Sequence, residues 1–276
     1  MKYIDLHVHS CFSDGTKTPS QLVELAKSQD LVAFALTDHD TMAGIPEAEK
    51  AAQDNGILLI PGIELSTKYK GTEIHILGYH LNSEDPTLKN VLTTIVERRE
   101  NRNLAMCERL NAGGYPITYS ALCEQFGDAI ITRAHFAKYL FENGSVPSMD
   151  YAFHNCLNES SPYYVHREYL KSQEAVELIK EAGGIPVLAH PLLYHLSVSR
   201  LKELITFLIP YGLQGIEAMY SCNRGTDEAF VRKLGKDFNL ICTGGSDYHG
   251  DNKPHIQLGR GMGNLFVPSE ILDQLK

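Results

Sequence analysis

Six of the twelve histidines in this 276-residue chain stand beside short apolar runs, each next to a carboxylate, a small residue or a proline. The run Tyr3-Ile4-Asp5-Leu6 leads to His7 and His9, and Leu31 to Leu36 leads to Asp38 and His39. Leu58 to Ile63 leads to Glu64, and Ile74 has His75 at its side. Ile185 to Ala189 leads to His190, and Leu240 to Gly245 leads to Asp247 and His249. Short apolar runs bounded by turn residues read as buried parallel strands. Strand ends that all carry imidazole or carboxylate converge on one place. Neutral imidazole with carboxylate is the ligand set of divalent transition metals. The chain therefore reads as a metal-dependent enzyme with more than one ion.

Taken singly, each piece has a plainer reading. His7 and His9 alternate onto one face of a strand and can chelate one ion, but an H-x-H occurs by chance in a chain with twelve histidines. Asp14, in Ser13-Asp14-Gly15-Thr16, also suits an Asx turn. A buried histidine or a capping aspartate explains any one position. The common placement at strand ends favours the metal site.

Hydrophobic content of 43% and charged content of 21% are those of an ordinary globular protein. No apolar stretch approaches the ~20 residues that span a bilayer. The start MKYIDLHVHS lacks the apolar segment of a signal peptide, so a cytoplasmic protein is expected. Cys11, Cys107, Cys123, Cys156, Cys222 and Cys242 form no C-x-x-C pair and read as free thiols. The net charge of -9 argues against a surface that coats nucleic acid, though not against a small anionic substrate.

Strand and helix patterns alternate. Thr18 and Pro19 open a helix to Ser28, and Ile45 to Asn55 is helical and closed by Gly56. The segments ILLIPGIELS and EIHILGYHL follow as strands. From Pro86 to Asn158 only helices are expected, the first from Thr87 to Leu110, with others at Tyr119 to Phe126, Thr132 to Glu142 and Met149 to Leu157. The alternation then resumes with helices at Gln173 to Ala182, Val198 to Pro210 and Asp227 to Phe238 between the strands IPVLAHP, GIEAMY and LICTGGSDYH. At least seven strands with right-handed crossovers predict an α/β barrel with ligands at its C-terminal strand ends; an open doubly wound sheet is the alternative. The expected division is barrel 1–81, helical insertion 82–160 and barrel 161–276, with the insertion as a substrate clamp.

The order HVHSCFSDG, LTDHD, GIE, H, AHP and GSDYH resembles the PHP (polymerase and histidinol phosphatase) family of metal phosphoesterases, over residues 1–80 and about 175–250. The resemblance implies a distorted (β/α)7 barrel. It implies one metal ion on His7, His9, Glu64 and Asp247, a second on Asp14, His39 and His249, and a third on Glu64, His75 and His190, with Glu64 bridging. Two to three divalent ions are therefore expected. Many relatives have histidine where this chain has Asp14, and the harder oxygen ligand favours manganese, magnesium or iron over zinc there. Manganese is expected first, with iron, zinc or magnesium as alternatives. Such ions bind phosphate oxygens and lower the pKa of water. Asp38 is a candidate for orienting a ligand or moving a proton, and His190 for protonating the leaving oxygen. A ligand histidine is a poor acid, so the general acid stays unassigned.

Arg98, Arg99 and Arg102 lie on one helix, where partnership with Glu97 and Glu100 on a solvated face is the plainer reading. Arg133 and His135 open another helix, a good place for an anion. The segments Arg99-Glu100-Asn101-Arg102 and Arg133-Ala134-His135-Phe136-Ala137 resemble those of a PHP subgroup acting on 3′,5′-nucleoside bisphosphates and RNA 5′ ends. That implies that Arg99, Arg102, Arg133 and His135 grip a second phosphate. This chain departs from the subgroup after AHP, where Leu192-Leu193-Tyr194-His195 replaces a Gly-Arg-like turn. The expected activity is removal of the 3′-phosphate from a 3′,5′-bisphosphonucleotide, with cleavage of short RNA as a related action. The competing readings are a histidinol-phosphate-type or broad monoester phosphatase and a regulatory metal-binding module. No membrane and no obligate protein partner is expected.

Overall fold

The computed structural model describes residues 2–127 and 129–275. The alternation of apolar runs and amphipathic segments folds as the periodicity requires. Strand β1 (Tyr3–Val8), helix α1 (Pro19–Ser28), strand β2 (Leu31–Leu36), helix α2 (Ile45–Asn55) and strand β3 (Leu58–Tyr69) form two successive parallel crossovers. Thr18 caps α1 in a capping box with Gln21, and Gly56 ends α2 in the left-handed region at φ 69°.

The chain then turns at Lys70-Gly71 into β4 (Thr72–Tyr79), antiparallel to β3. Strand β4 is also antiparallel to its other neighbour, β6 (Ile185–Leu188). Strands β7 (Gly215–Tyr220) and β8 (Ile241–Gly245) follow in parallel. The sheet order is β8-β7-β6-β4-β3-β2-β1-β9, where β9 is Val267–Pro268 and the short β5 (Leu170–Lys171) pairs beside β3. The amides of Asp247 and His9, just past β8 and β1, cross-link the two sheet ends to His7 O at 2.8 Å and Tyr248 O at 3.0 Å. The sheet is thus a nearly closed barrel. A Cβ on Gly245 would lie 2.4 Å from His7 N, so only glycine permits this approach. The reversal of β4 explains why His75 stands near its strand's start: an antiparallel strand brings its N-terminal half to the end where the parallel strands finish.

Helices α7 (Ser172–Glu181), α8 (Val198–Leu208) and α9 (Asp227–Asp237) complete the alternation. The largest hydrophobic cluster packs Leu22, Val23, Ile45, Val176, Ile179, Leu201 and Leu204 onto the sheet through Phe34, Leu36 and Ile76. Between β4 and β5 come α3 (Pro86–Ala112), α4 (Tyr119–Phe126), α5 (Arg133–Glu142) and α6 (Met149–Tyr151), the last running into a π-helical turn, Ala152–Cys156. These helices bury a separate cluster of Met106, Leu110, Leu122, Phe136, Leu140 and Ala152. Among the described residues no helix is long and apolar enough to cross a membrane.

Candidate metal and phosphate site

Two buried carboxylates fix the loops that carry the ligands. Asp5, inside β1, accepts from Ser246 N at 2.8 Å and Gly259 N at 2.7 Å, binding β1 to the segment after β8. Asp38 accepts from Ser10 N, Ser10 Oγ and Ser13 Oγ at 2.6–2.7 Å. Both its oxygens hold the loop of His9 to Asp14, so Asp38 sits as a positioning residue rather than facing substrate. That loop is tight: a Cβ on Gly15 would meet His9 O at 2.3 Å.

Glu64 stands at the centre. Its Oε2 is 3.3 Å from Nε2 of both His7 and His9 and 3.1 Å from His39 Nδ1. Its Oε1 meets His75 Nδ1 at 2.8 Å and His190 Nε2 at 2.9 Å. Asp247 Oδ1 is 3.4 Å from His9 Nε2 and 3.7 Å from His7 Nε2. Asp14 Oδ1 is 3.1 Å from His249 Nε2 and 3.8 Å from His39 Nε2. All nine candidate ligands are therefore brought together, with Glu64 touching five imidazoles. His9 also joins Asp14, His39 and His249 in one group whose ligand atoms lie within 4.8 Å of one another.

The donor set fits divalent ions. His7 Nε2, His9 Nε2, Asp14 Oδ1 and His39 Nδ1 are buried, face this cluster and have no hydrogen-bond partner among the described residues. Unsatisfied buried donors and acceptors are costly, and four converging in one place suit a cation's ligand set. Ions held by these residues would supply Lewis-acid stabilisation of phosphate oxygens.

Glu217 was not among the expected site residues. It lies buried in β7, accepts from His7 Nδ1 at 3.0 Å and from His190 N at 2.8 Å. Holding the proton on Nδ1 leaves His7 Nε2 free as a ligand. Glu217→Ala is expected to weaken metal binding about 10- to 100-fold, read by calorimetric titration, with Glu217→Gln intermediate because its amide oxygen still accepts. Unchanged affinity in both variants would remove this role.

Burial opposes charge on the imidazoles, but neighbouring carboxylates prevail at three of them. Glu217, Glu64 and Asp247 hold His7 well above the usual histidine range. His9, beside Asp247 and Glu64, is raised to about 9, and His75, beside Glu64 and Glu73, to about 10. Burial instead pushes His39 down to about 3. At pH 7 the metal-free protein thus carries protons on His7, His9 and His75 that an ion must displace. Metal binding at pH 7 is expected to release protons, measured as a dependence of calorimetric heat on buffer ionisation enthalpy. The raised folded pKa values favour the folded state fully below the unfolded value of ~6.5, and this contribution fades as pH rises through about 9 to 10. The metal-free melting temperature is expected to fall across that window; a rise would reject the assignment.

A cavity of about 270 Å³ opens beside the cluster, bounded by Asp14, His39, His75 and His249 on one side. Arg99, Arg102, Arg133, Arg167 and Lys253 also line it. Arg99 is hydrogen-bonded to Asp40, and Arg167 Nη1 is 3.6 Å from the same carboxylate. Arg133 pairs with Glu73 at 2.9 Å. Arg102 is buried and has no carboxylate partner among the described residues; burial and the neighbouring Arg99 and Arg167 lower it to about 9.

His135 lies outside this wall. Its Nδ1 accepts from Thr132 N at 3.0 Å and caps α5, and its ring packs on Phe126. The expected phosphate contact is replaced by support of the turn that presents Arg133. Arg98 points away and pairs with Glu168 at 3.1 Å rather than with its helix neighbours. Tyr194 is packing: its hydroxyl donates to Ala189 O at 2.7 Å and receives His75 N at 3.0 Å. Arg167 and Lys253 were missed. Lys253, four residues after His249, donates to Asp247 Oδ2 at 2.7 Å.

Comparison with known proteins agrees with this geometry. The model of the PHP domain matches residues 5–184. A "5′-3′ exoribonuclease" of Haemophilus influenzae is 37% identical over 249 residues, 90% of each chain. A "3′,5′-nucleoside bisphosphate phosphatase" of Chromobacterium violaceum is 34% identical over 251 residues, 90% of this chain and 88% of that one. A crystal structure from Bifidobacterium adolescentis, assigned as a metal-dependent phosphoesterase, superposes with a TM-score of 0.88 at 29% identity, covering 99% of this chain and 95% of that one. With the barrel, the converging ligands and these relatives, the chain belongs to the PHP domain family of metal-dependent phosphoesterases.

Proposed function

We propose that this phosphoesterase removes the 3′-phosphate of 3′,5′-bisphosphonucleotides, giving a nucleoside 5′-monophosphate and phosphate. The observation that carries the reading is one cavity with two anion-seeking poles: the imidazole–carboxylate cluster, with Lys253 on Asp247, and a set of four guanidinium groups. One phosphate belongs at each pole, and planar guanidinium suits paired phosphate oxygens. A monophosphate reaches the cluster but misses the second pole and loses orientation. The clamp combines Arg99, Arg102 and Arg133 of the helical insertion 82–160 with Arg167 beyond it. Two to three ions are proposed on the nine ligands, manganese first.

Short RNA is the second reading. A further cavity, walled by His190, Leu193, His195 and Tyr220, also borders the cluster and supports room for a group on the other ester oxygen. The net charge of -9 favours short over long RNA.

The test is phosphate release by manganese-loaded protein from adenosine 3′,5′-bisphosphate beside 5′-AMP, 3′-AMP and histidinol phosphate. Clear preference for the bisphosphate is expected. Similar rates on all would favour a broad monoester phosphatase, and no release with any metal would favour a regulatory module.

A further inference from the structure

One wall of the cavity has no part in holding phosphate. Met149 and Phe153 line it beside the arginines. They stand four residues apart, on one face of the chain as α6 passes into the π-helical turn Ala152–Cys156. A π-helical turn is a rare winding that concentrates at functional sites. It carries an aromatic ring that stays 36% exposed, next to a cavity whose remaining lining is largely polar and charged. The other aromatic of the lining, Tyr169, already has the Arg167 guanidinium over its ring at 4.2 Å. Phosphate gains nothing from the surface of Met149 and Phe153. A flat aromatic ring does, by stacking on phenylalanine and packing on a thioether.

We propose that Phe153, backed by Met149, is the platform for the substrate's nucleobase. The base lies on this wall while the phosphates occupy the two poles. The inference rests on the nucleotide reading above and adds to it the group that distinguishes a nucleotide from any other bisphosphate. Stacking engages a ring face and leaves the base edges unread, so the platform accepts purines and pyrimidines, with purines tighter for their larger face. The aromatic run Tyr163-Tyr164 does not compete for this role, because Tyr164 is buried and Tyr163 packs on Tyr115.

The experiment compares adenosine 3′,5′-bisphosphate with its base-free counterpart, 1,2-dideoxyribose 3,5-bisphosphate. Each is assayed with metal-loaded wild type, Phe153→Ala and Phe153→Trp. Phe153→Ala is expected to raise KM for the nucleotide about tenfold, the size of one base–aromatic stack, and to leave KM for the base-free compound unchanged. Phe153→Trp is expected to keep the nucleotide KM near wild type. An equal change on both substrates, or none on the nucleotide, overturns the proposal. Dissociation constants for 5′-AMP and for its base-free analogue repeat the comparison without turnover. Loss of bisphosphate preference in wild type would then reject the proposed function, while the base-dependent difference still decides the platform. If the alanine variant loses its thermal transition, Phe153→Leu, which keeps bulk without a stacking face, is read by the same criteria.

Discussion

Asp247→Asn is expected to lower turnover by more than about a thousandfold, equivalent to ~4 kcal/mol of lost transition-state stabilisation, while the protein remains folded. The carboxylate meets His7, His9 and His249 through Oδ1, and Lys253 and Tyr220 through Oδ2. Burial works against its charge, but Lys253, His249 and His7 hold its pKa well below the carboxylate range, so an anion is always presented. Asparagine keeps the shape and tolerates the left-handed backbone at φ 57°, where alanine would add strain. The asparagine variant therefore isolates the charge. Metal content by elemental analysis and turnover are measured together. Near-normal turnover with full metal content would reject Asp247 as a ligand.

Arg102→Ala is expected to lower kcat/KM for a bisphosphonucleotide by about thirty- to several-thousand-fold, the range of ~2–5 kcal/mol for truncating a buried charge contact. A generic aryl phosphate, which has nothing to place there, should be nearly unaffected. Among the clamp arginines Arg102 has the strongest case, because Arg99 and Arg133 already hold carboxylates. Its Nε has no hydrogen-bond partner among the described residues, and Nη1 approaches only Met106 Sδ at 3.4 Å. A buried, unpaired cation destabilises the free protein, so Arg102→Met should raise the melting temperature as it lowers activity. Arg133→Ala should show the same substrate bias with a smaller loss, because it also frees Glu73. Equal losses on both substrates would remove the clamp.

The candidate ligands that the fold gathers into one cluster were legible because their residue types are rare at the ends of apolar runs. His7 and Glu64 lie within β1 and β3, and His39 and Asp247 follow β2 and β8, so strands that the apolar pattern defines place all four. The supporting residues were harder to read because their partners are far off in sequence. Glu217 serves His7, 210 residues away, and Arg167 reaches Asp40 across the whole helical segment. A signal did exist: a carboxylate inside a fully buried strand, as in GIEAMY or YIDLHV, must have partners. His135 was drawn toward phosphate by its helix N-terminus, but the same position favours capping, and the backbone amide of Thr132 won. The reversal of β4 is carried by a short Lys70-Gly71 turn, and periodicity alone does not give strand direction.

Asp40 ties these halves together. It directly follows His39, sits in the left-handed region at φ 56°, accepts from Ser66 N at 2.9 Å and pairs with Arg99 and Arg167. One peptide step thus separates an imidazole of the metal cluster from the anchor of two clamp arginines. On the two-phosphate reading, that step works as a gauge block. The position of Arg99 and Arg167 relative to His39 is held from one turn of the barrel through two ion pairs.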